Sequence, residues 1–218
     1  MLRAAQYSGA IAVRGAGFFI IVLLAVLGSG CAGPAERPTM PRVDWLERRD
    51  MLREIEEFRR EGRLALNTGR RGYSGTVSWE QNDDIVDFRF RGPFGVGGFR
   101  IHGDPEQLRV KTTAGEEFLL RDPELEMTER FGWSLPVHSM RYWILGVSDP
   151  GLPATEVPDD EGLLESMEQA GWMVTYETYA ETEGLLLPRK LDMERGDVRI
   201  RVMSDRWDIP GARALARR

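Results

Sequence analysis

DIVDFRFRG, residues 84 to 92, decides how this chain is read. Ile85 is followed by Phe88 and Phe90 on one face, with Arg89 and Arg91 on the other, and a period of two belongs to a strand with one wet face. The same alternation recurs in RLALNT and YSGTVSWEQ upstream, and in GGFRIHG, QLRVKTT and EEFLLRD downstream, as short runs separated by Gly, Asn and Asp. It resumes near the C-terminus as LLESMEQ, WMVTYETYA, RKLDMER and DVRIRVMSDRW, with Ala170-Gly171 and Arg195-Gly196 as hairpin turns. About ten antiparallel strands in a meander imply one strongly curved sheet, closed or nearly closed into a barrel, of the kind that can enclose an apolar cavity.

Helices flank and interrupt this meander. Asp44 with Glu47 three residues on reads as a capping box, and Met51, Ile55 and Phe58 follow at helical spacing, which predicts an amphipathic helix from Asp44 to Arg60 ended by Gly62. DPELEMTERFG and VHSMRYWILG carry helix formers without strand alternation. VSDPGLPATEVPDDEG, rich in Pro, Gly and acids, reads as a loop, and no repeat of fixed period emerges. The fold class is mainly β, of the α+β kind.

The chain has 218 residues, room for one domain or two small ones with a substantial core. Hydrophobic residues make up 42% and charged residues 29%, a globular balance, and a net charge of −6 argues against a nucleic-acid surface built on excess Lys and Arg.

The first thirty residues differ from the rest. Arg3 and Arg14 lie ahead of an apolar run from Ala16 to Leu27, too short for the roughly 20 residues that span a bilayer, so the segment reads as a signal peptide. Gly28, Ser29 and Gly30 lead into Cys31, the one cysteine of the chain, which has no intramolecular disulfide partner. The arrangement resembles a bacterial lipoprotein box, with Gly28 where such boxes usually carry Leu. An ordinary secretory signal with a chance cysteine is the alternative. In the lipoprotein reading Cys31 is acylated, and Ala32 in place of Asp implies the outer membrane rather than the inner one. Removing residues 1–30 deletes two Arg and no acid, moving the charge from −6 to −8. Residues 31–41, rich in Pro and small residues, form a tether, and the domain spans 42–210 with a tail at 211–218.

The turn after the opening strand raises its own question. Gly92, Pro93, Phe94 and Gly95 form a tight turn, and Phe94 sits where polar residues are normal. Its ring either folds back onto the core or projects from the body of the fold.

Candidate chemistry is sparse. His102 and His138 are far apart in sequence and the cysteine is assigned to lipid, so a zinc site has no ligand set. Ser139 follows His138 but lacks a nucleophile-elbow motif, and GVGG lacks the spacing and following helix of a dinucleotide site. The pairs Asp83/Asp84 and Asp159/Asp160 read as solvated loop charges. Neither an enzyme nor a cofactor is called for. The six tryptophans, Trp45, Trp79, Trp133, Trp143, Trp172 and Trp207, suit either a large core or a cavity wall.

SLPVHSMRYWILG, Ser134 to Gly146, resembles the proline-started helix of the LolB family of outer-membrane lipoproteins. The EGRLAL entry after the first helix, the VSWEQ strand, the PFG turn, the GW.V.Y..Y hairpin and the closing LP..L.ME.G.VRIRV...W are similar to that family too. The resemblance implies an unclosed barrel with a helical lid over a hydrophobic cavity, and a receptor that takes lipoproteins from a LolA-like periplasmic carrier and inserts them into the outer membrane. Phe94 then occupies the family's exposed apolar turn, so Gly92, Pro93, Phe94 and Gly95 form a membrane-insertion loop. Trp79, Phe88, Phe90, Trp143, Ile144, Leu145, Trp172 and Trp207 are the expected cavity wall. The protein is expected to be a monomer anchored by Cys31 and facing the periplasm, with the carrier, acylated lipoproteins and outer-membrane lipid as partners. Acyl chains would pass down an affinity gradient with no bond made or broken. Two rivals remain at this point: a lipid-anchored binding module for a small hydrophobic ligand, and a structural envelope lipoprotein with a filled core.

Overall fold

A computed structural model describes residues 44–131 and 134–217. The leader, Cys31, the tether up to residue 41 and Trp133 lie outside the described residues. Helix α1, Trp45–Arg53, leads into β1 (Glu57–Asn67), β2 (Gly72–Asn82), β3 (Ile85–Arg91), β4 (Phe99–Asp104), β5 (Gln107–Thr112) and β6 (Glu117–Leu120). A 3-10 turn at Pro93–Gly95 separates β3 from β4. Helices α2 (Pro123–Phe131) and α3 (Val137–Trp143) carry the chain to β7 (Ala154–Pro158), β8 (Leu164–Gln169), β9 (Trp172–Thr182), β10 (Leu185–Arg195) and β11 (Val198–Asp208), after which comes α4 (Ala212–Leu215).

These strands form one antiparallel sheet in the order β6-β5-β4-β3-β2-β1-β11-β10-β9-β8-β7. From β1 to β6 and from β7 to β11 sequence neighbours pair, β11 returns onto β1, and among the described residues β6 and β7 are unpaired edges joined in sequence through α2 and α3. The sheet is therefore unclosed. Because the strands alternate in direction, the β1–β2, β3–β4, β5–β6, β8–β9 and β10–β11 connections all emerge on one rim.

Inward positions follow strand parity. In β3 the buried residues are Val86, Phe88 and Phe90, and Ile85 is exposed. Ile85 is therefore not on the face of the two phenylalanines as expected: three residues along a strand reverses the side, and Val86 takes the inward place. The outer face is instead a set of cross-strand ion pairs, including Arg63–Asp205, Arg100–Asp87 and Arg201–Asp192. The Arg100 pair, with Arg89 beside it, holds the Asp87 carboxyl below its ordinary range despite the opposing effect of burial.

The expected helix to Arg60 stops at Arg53, with Glu54 as its C-cap. Phe58 is buried, but as an inward residue of β1, alternating with Arg60, Gly62 and Leu66. Helical spacing at Met51, Ile55 and Phe58 lost to a strand that gains hydrogen-bonded partners on both sides, β2 and β11. Gly62 is accordingly a bulge rather than a helix stop. The β1–β11 register shifts at Glu61/Gly62, and a Cβ on Gly62 would lie 2.0 Å from the Met203 carbonyl oxygen. That space admits the Arg60 guanidinium, which is buried, donates to Ser204 Oγ at 2.8 Å and Met203 O at 3.1 Å, and lies over the Trp207 ring. Burial lowers the Arg60 pKa to about 10, Asp205 opposing the shift. Gly62→Ala is expected to cost about 3 kcal/mol, because backbone must move to admit the methyl group; the midpoint of urea unfolding checks this.

Three further segments differ from the expectation. The expected loop at 147–162 contains edge strand β7, whose Pro158 falls at a register shift and whose half-buried Glu156 is held by Arg49, Arg53, Ser148 and Trp45 rather than by apolar neighbours. The second hairpin turn lies at Gly196-Asp197, with Arg195 still in β10. The segment expected as a tail begins with α4, whose Ala212 is buried in the core.

Candidate functional site

A cavity of about 870 Å³ opens inside the sheet. Its wall is made by alternate inward side chains of successive strands: Leu64 and Leu66 from β1, Trp79 from β2, Val86, Phe88 and Phe90 from β3, Phe99 and Ile101 from β4, Val110 from β5, Phe118 from β6, and Ile200 from β11. The aromatics touch in series. Trp79 meets Phe88 edge-on at 5.6 Å, and Phe99 stacks on Phe88 at 6.0 Å and on Phe90 at 5.3 Å. Met127 of α2, Leu135, and Val137 and Met140 of α3 line it too, so the helical crossing supplies part of the wall. Offset rings and branched chains around a void of this size form a site for apolar matter.

The mouth lies at the rim already described. Thr68, Arg70 and Arg71 from the β1–β2 connection, Gly97 from β3–β4, Thr112 and Glu116 at β5–β6, and Arg195 and Asp197 at β10–β11 all line it. Phe94 belongs to the same rim. It is 105% exposed, so its ring rests on nothing in this domain, and the core alternative fails. Its backbone has φ 56° and ψ 19°, a left-handed conformation that costs a non-glycine residue roughly 1 kcal/mol. Two hydrogen bonds hold it there, Gly95 N–H to Gly92 O and Val96 N–H to Pro93 O, both at 3.1 Å. A Cβ on Gly92 would lie 2.0 Å from Val96 O, so only glycine closes this turn. Exposed Val96 stands beside the tip.

Of the eight residues expected in the cavity wall, the structure brings together Trp79, Phe88 and Phe90 there and places the others elsewhere. Trp143, Ile144 and Leu145, at the end of α3, are at most 1% exposed in packed core, where Trp143 meets Trp172 at 6.3 Å. Trp143 Nε1–H donates to Gln169 Oε1 at 2.7 Å, and Tyr176 O–H donates to the Trp143 carbonyl at 2.9 Å. Trp207 lies beyond Phe58, edge-on at 5.6 Å. Apolar identity alone does not separate these two environments. Leu64, Phe99, Ile101 and Val110 were missed as wall residues, although parity carried from Phe88 across the strand pairs Phe88↔Ile101 and Ile101↔Val110 marks them.

The polar candidates have structural employment. Ser139 O–H donates to Asp149 Oδ2 at 2.7 Å, and His138 Nε2 is 3.9 Å from that same carboxylate oxygen. Asp84, read as a solvated charge, accepts from Arg141 of α3 at 2.9 Å, and Arg141 also donates to the Asp83 carbonyl at 2.7 Å, tying α3 to the β2–β3 turn. Asp159 accepts from the backbone of Glu161 and Leu163, both at 2.9 Å, and so shapes its loop. Among the described residues no group of three or more His, Cys, Asp or Glu could hold a metal ion, and no helix is long and apolar enough to cross a membrane.

Comparison with known proteins agrees with this geometry. Residues 56–207 match the family model described as outer membrane lipoprotein LolB. The chain is 34% identical over 194 residues to the outer-membrane lipoprotein LolB of Nitrosococcus oceani, covering 87% of this chain and 96% of that one. It is 34% identical over 188 residues to the protein of the same description from Alkalilimnicola ehrlichii, covering 86% and 94%. Among solved structures, a LolA superfamily protein from Nitrosomonas europaea shares the fold with a TM-score of 0.51 at 9% identity, over 77% of this chain and 94% of that one.

Proposed function

Since the chain belongs to the LolB family of outer-membrane lipoproteins, non-enzymatic receptors that take lipoproteins from LolA for insertion into the outer membrane, we propose that its rim-opening cavity holds the incoming acyl chains and that Phe94 meets the receiving membrane. The observation that carries this reading is the shared rim: the mouth of an apolar cavity of about 870 Å³ and a fully exposed phenylalanine are on one side of the sheet. Burial of each methylene contributes about 0.8 kcal/mol, so acyl chains entering the Trp79, Phe88 and Phe90 wall lose little when they leave a carrier. The bilayer then takes them because it buries the whole chain. Outer-membrane lipid is the last partner. Gly92, Pro93, Phe94 and Gly95 act as the insertion loop.

A carrier loaded with labelled lipoprotein, mixed with this protein and then with liposomes, tests the proposal in two stages. Label should first co-purify with this protein and then appear in the liposomes; label that stays on the carrier overturns it.

The same reading assigns residues 1–30 to a cleaved leader, Cys31 to the acylated N-terminus, 31–41 to the tether and 42–210 to the working domain. Cys31→Ala should abolish acylation and release the protein from the membrane fraction. Mass spectrometry of the processed N-terminus decides: an unmodified residue, or cleavage elsewhere than before Cys31, removes the anchor from the scheme.

A further inference from the structure

We infer that Arg70 and Arg71 form an anion site at the cavity mouth, which makes the preferred small ligand an amphiphile with one acyl chain and a carboxylate or phosphate head; this rests on the acyl-chain reading of the cavity. Both residues are exposed, both belong to the β1–β2 connection, and both line the same void as Trp79, Phe88 and Phe90. Acyl chains have no use for a guanidinium. An amphiphile does, since its head must stay at the mouth when its chain goes inside.

Place and charge pairing together mark these two residues: they line the cavity and their charge is not neutralised by a neighbour among the described residues. Elsewhere on the sheet, Arg59, Arg63, Arg100, Arg109 and Arg201 each meet a carboxylate on a neighbouring strand. Arg70 and Arg71 meet none among the described residues. Two carboxylates, Glu116 and Asp197, also line the mouth, and neither forms an ion pair with them. The third cation of the lining, Arg195, is already committed: Nη2 donates to Ser134 Oγ at 2.7 Å, and the guanidinium lies 4.8 Å from the Trp172 ring centroid. Three arginines against two acids leave the mouth positive on a chain whose net charge is −6. Paired guanidiniums bind carboxylate and phosphate oxygens through charge-assisted hydrogen bonds, and an adjoining apolar wall shields those bonds on one side.

The test uses the full chain in non-ionic detergent and three photoreactive probes sharing one diazirine-bearing acyl chain: a fatty acid, a lysophosphatidylglycerol and a neutral monoacylglycerol. The readout is cross-linking to the peptides that contain Trp79, Phe88 and Phe90. At low salt the anionic probes should label these peptides about fivefold more than the neutral one, the scale of partly exposed ion pairs. The double variant Arg70→Gln/Arg71→Gln should bring the ratio to about one without changing neutral labelling or the unfolding midpoint. Preference for both anionic probes means that the site reads charge; preference for one assigns the head to that group, and either supports the inference. Equal labelling by all three in the wild type, or a preference that survives in the double variant, overturns it and leaves the cavity reading standing. If no probe reaches these peptides, the acyl-chain reading falls, and the inference with it.

Discussion

Phe94→Glu is expected to receive lipoproteins from the carrier at the normal rate and to deliver them to liposomes about a hundredfold more slowly. A carboxylate resists the hydrocarbon region by about 2.5–3.5 kcal/mol, and burial of the lost ring would have contributed roughly 1.5–3 kcal/mol. Even half of that sum reaching the insertion step gives the stated factor, at 1.36 kcal/mol per tenfold change in rate. Stability should stay within about 0.5 kcal/mol, because a fully exposed side chain has no packing to lose. Phe94→Leu keeps an apolar tip and should deliver almost normally. Phe94→Gly is the sharper control. It relieves the left-handed strain at φ 56°, so it should stabilise the domain by about 1 kcal/mol while still impairing delivery. Stability and delivery moving in opposite directions cannot come from a folding defect. Phe94→Glu protein that delivers at the wild-type rate removes the tip from the mechanism.

Trp143→Ala should be the most damaging single change to stability, by about 3–5 kcal/mol. The side chain is 0% exposed, packs on Trp172 and donates to Gln169 Oε1 at 2.7 Å. That oxygen also accepts from Asp149 N–H at 2.9 Å, while Gln169 Nε2 donates to the Asp149 and Leu152 carbonyls. Removing the indole therefore opens a cavity in packed core and loosens the loop between α3 and β7. Phe90→Ala, in the wall of an existing void, should cost less, about 1–2 kcal/mol, because less packing surrounds that ring. Thermal and urea unfolding of the two variants side by side check the order; equal losses would show that the wall is as tightly packed as the core. Acyl-chain uptake should follow the reverse order once each variant is measured below its unfolding transition.

These two variants also mark the boundary between what sequence and structure decide. Alternation in DIVDFRFRG and its neighbours was enough for a mainly β fold with one wet face, since period two is a property of the strand itself. The GPFG turn was legible because its signal is local too: proline fixes its own φ and glycine admits backbone conformations closed to other residues, wherever they stand. Family motifs such as SLPVHSMRYWILG carried the likeness that the comparisons then showed. Contacts distant in sequence were not legible. Phe58 fits helical spacing, yet it belongs to β1 because β2 and β11 offer it partners on both sides. Strand β7 was hidden because its inward residue is Glu156, made tolerable by the charges of Arg49 and Arg53 and by hydrogen bonds from Ser148 and Trp45 rather than by apolar packing. Trp79 and Trp143 look alike in sequence, and only packing puts the first beside a void and the second against Trp172 and Gln169. Nothing local in the sequence marks Arg70 and Arg71; the sheet brings their turn to the cavity mouth beside side chains from β3, β4 and β11. Side-chain chemistry and local period are written residue by residue, whereas a cavity is space left between residues far apart in the chain, so the tertiary structure decides where it lies and what guards its mouth.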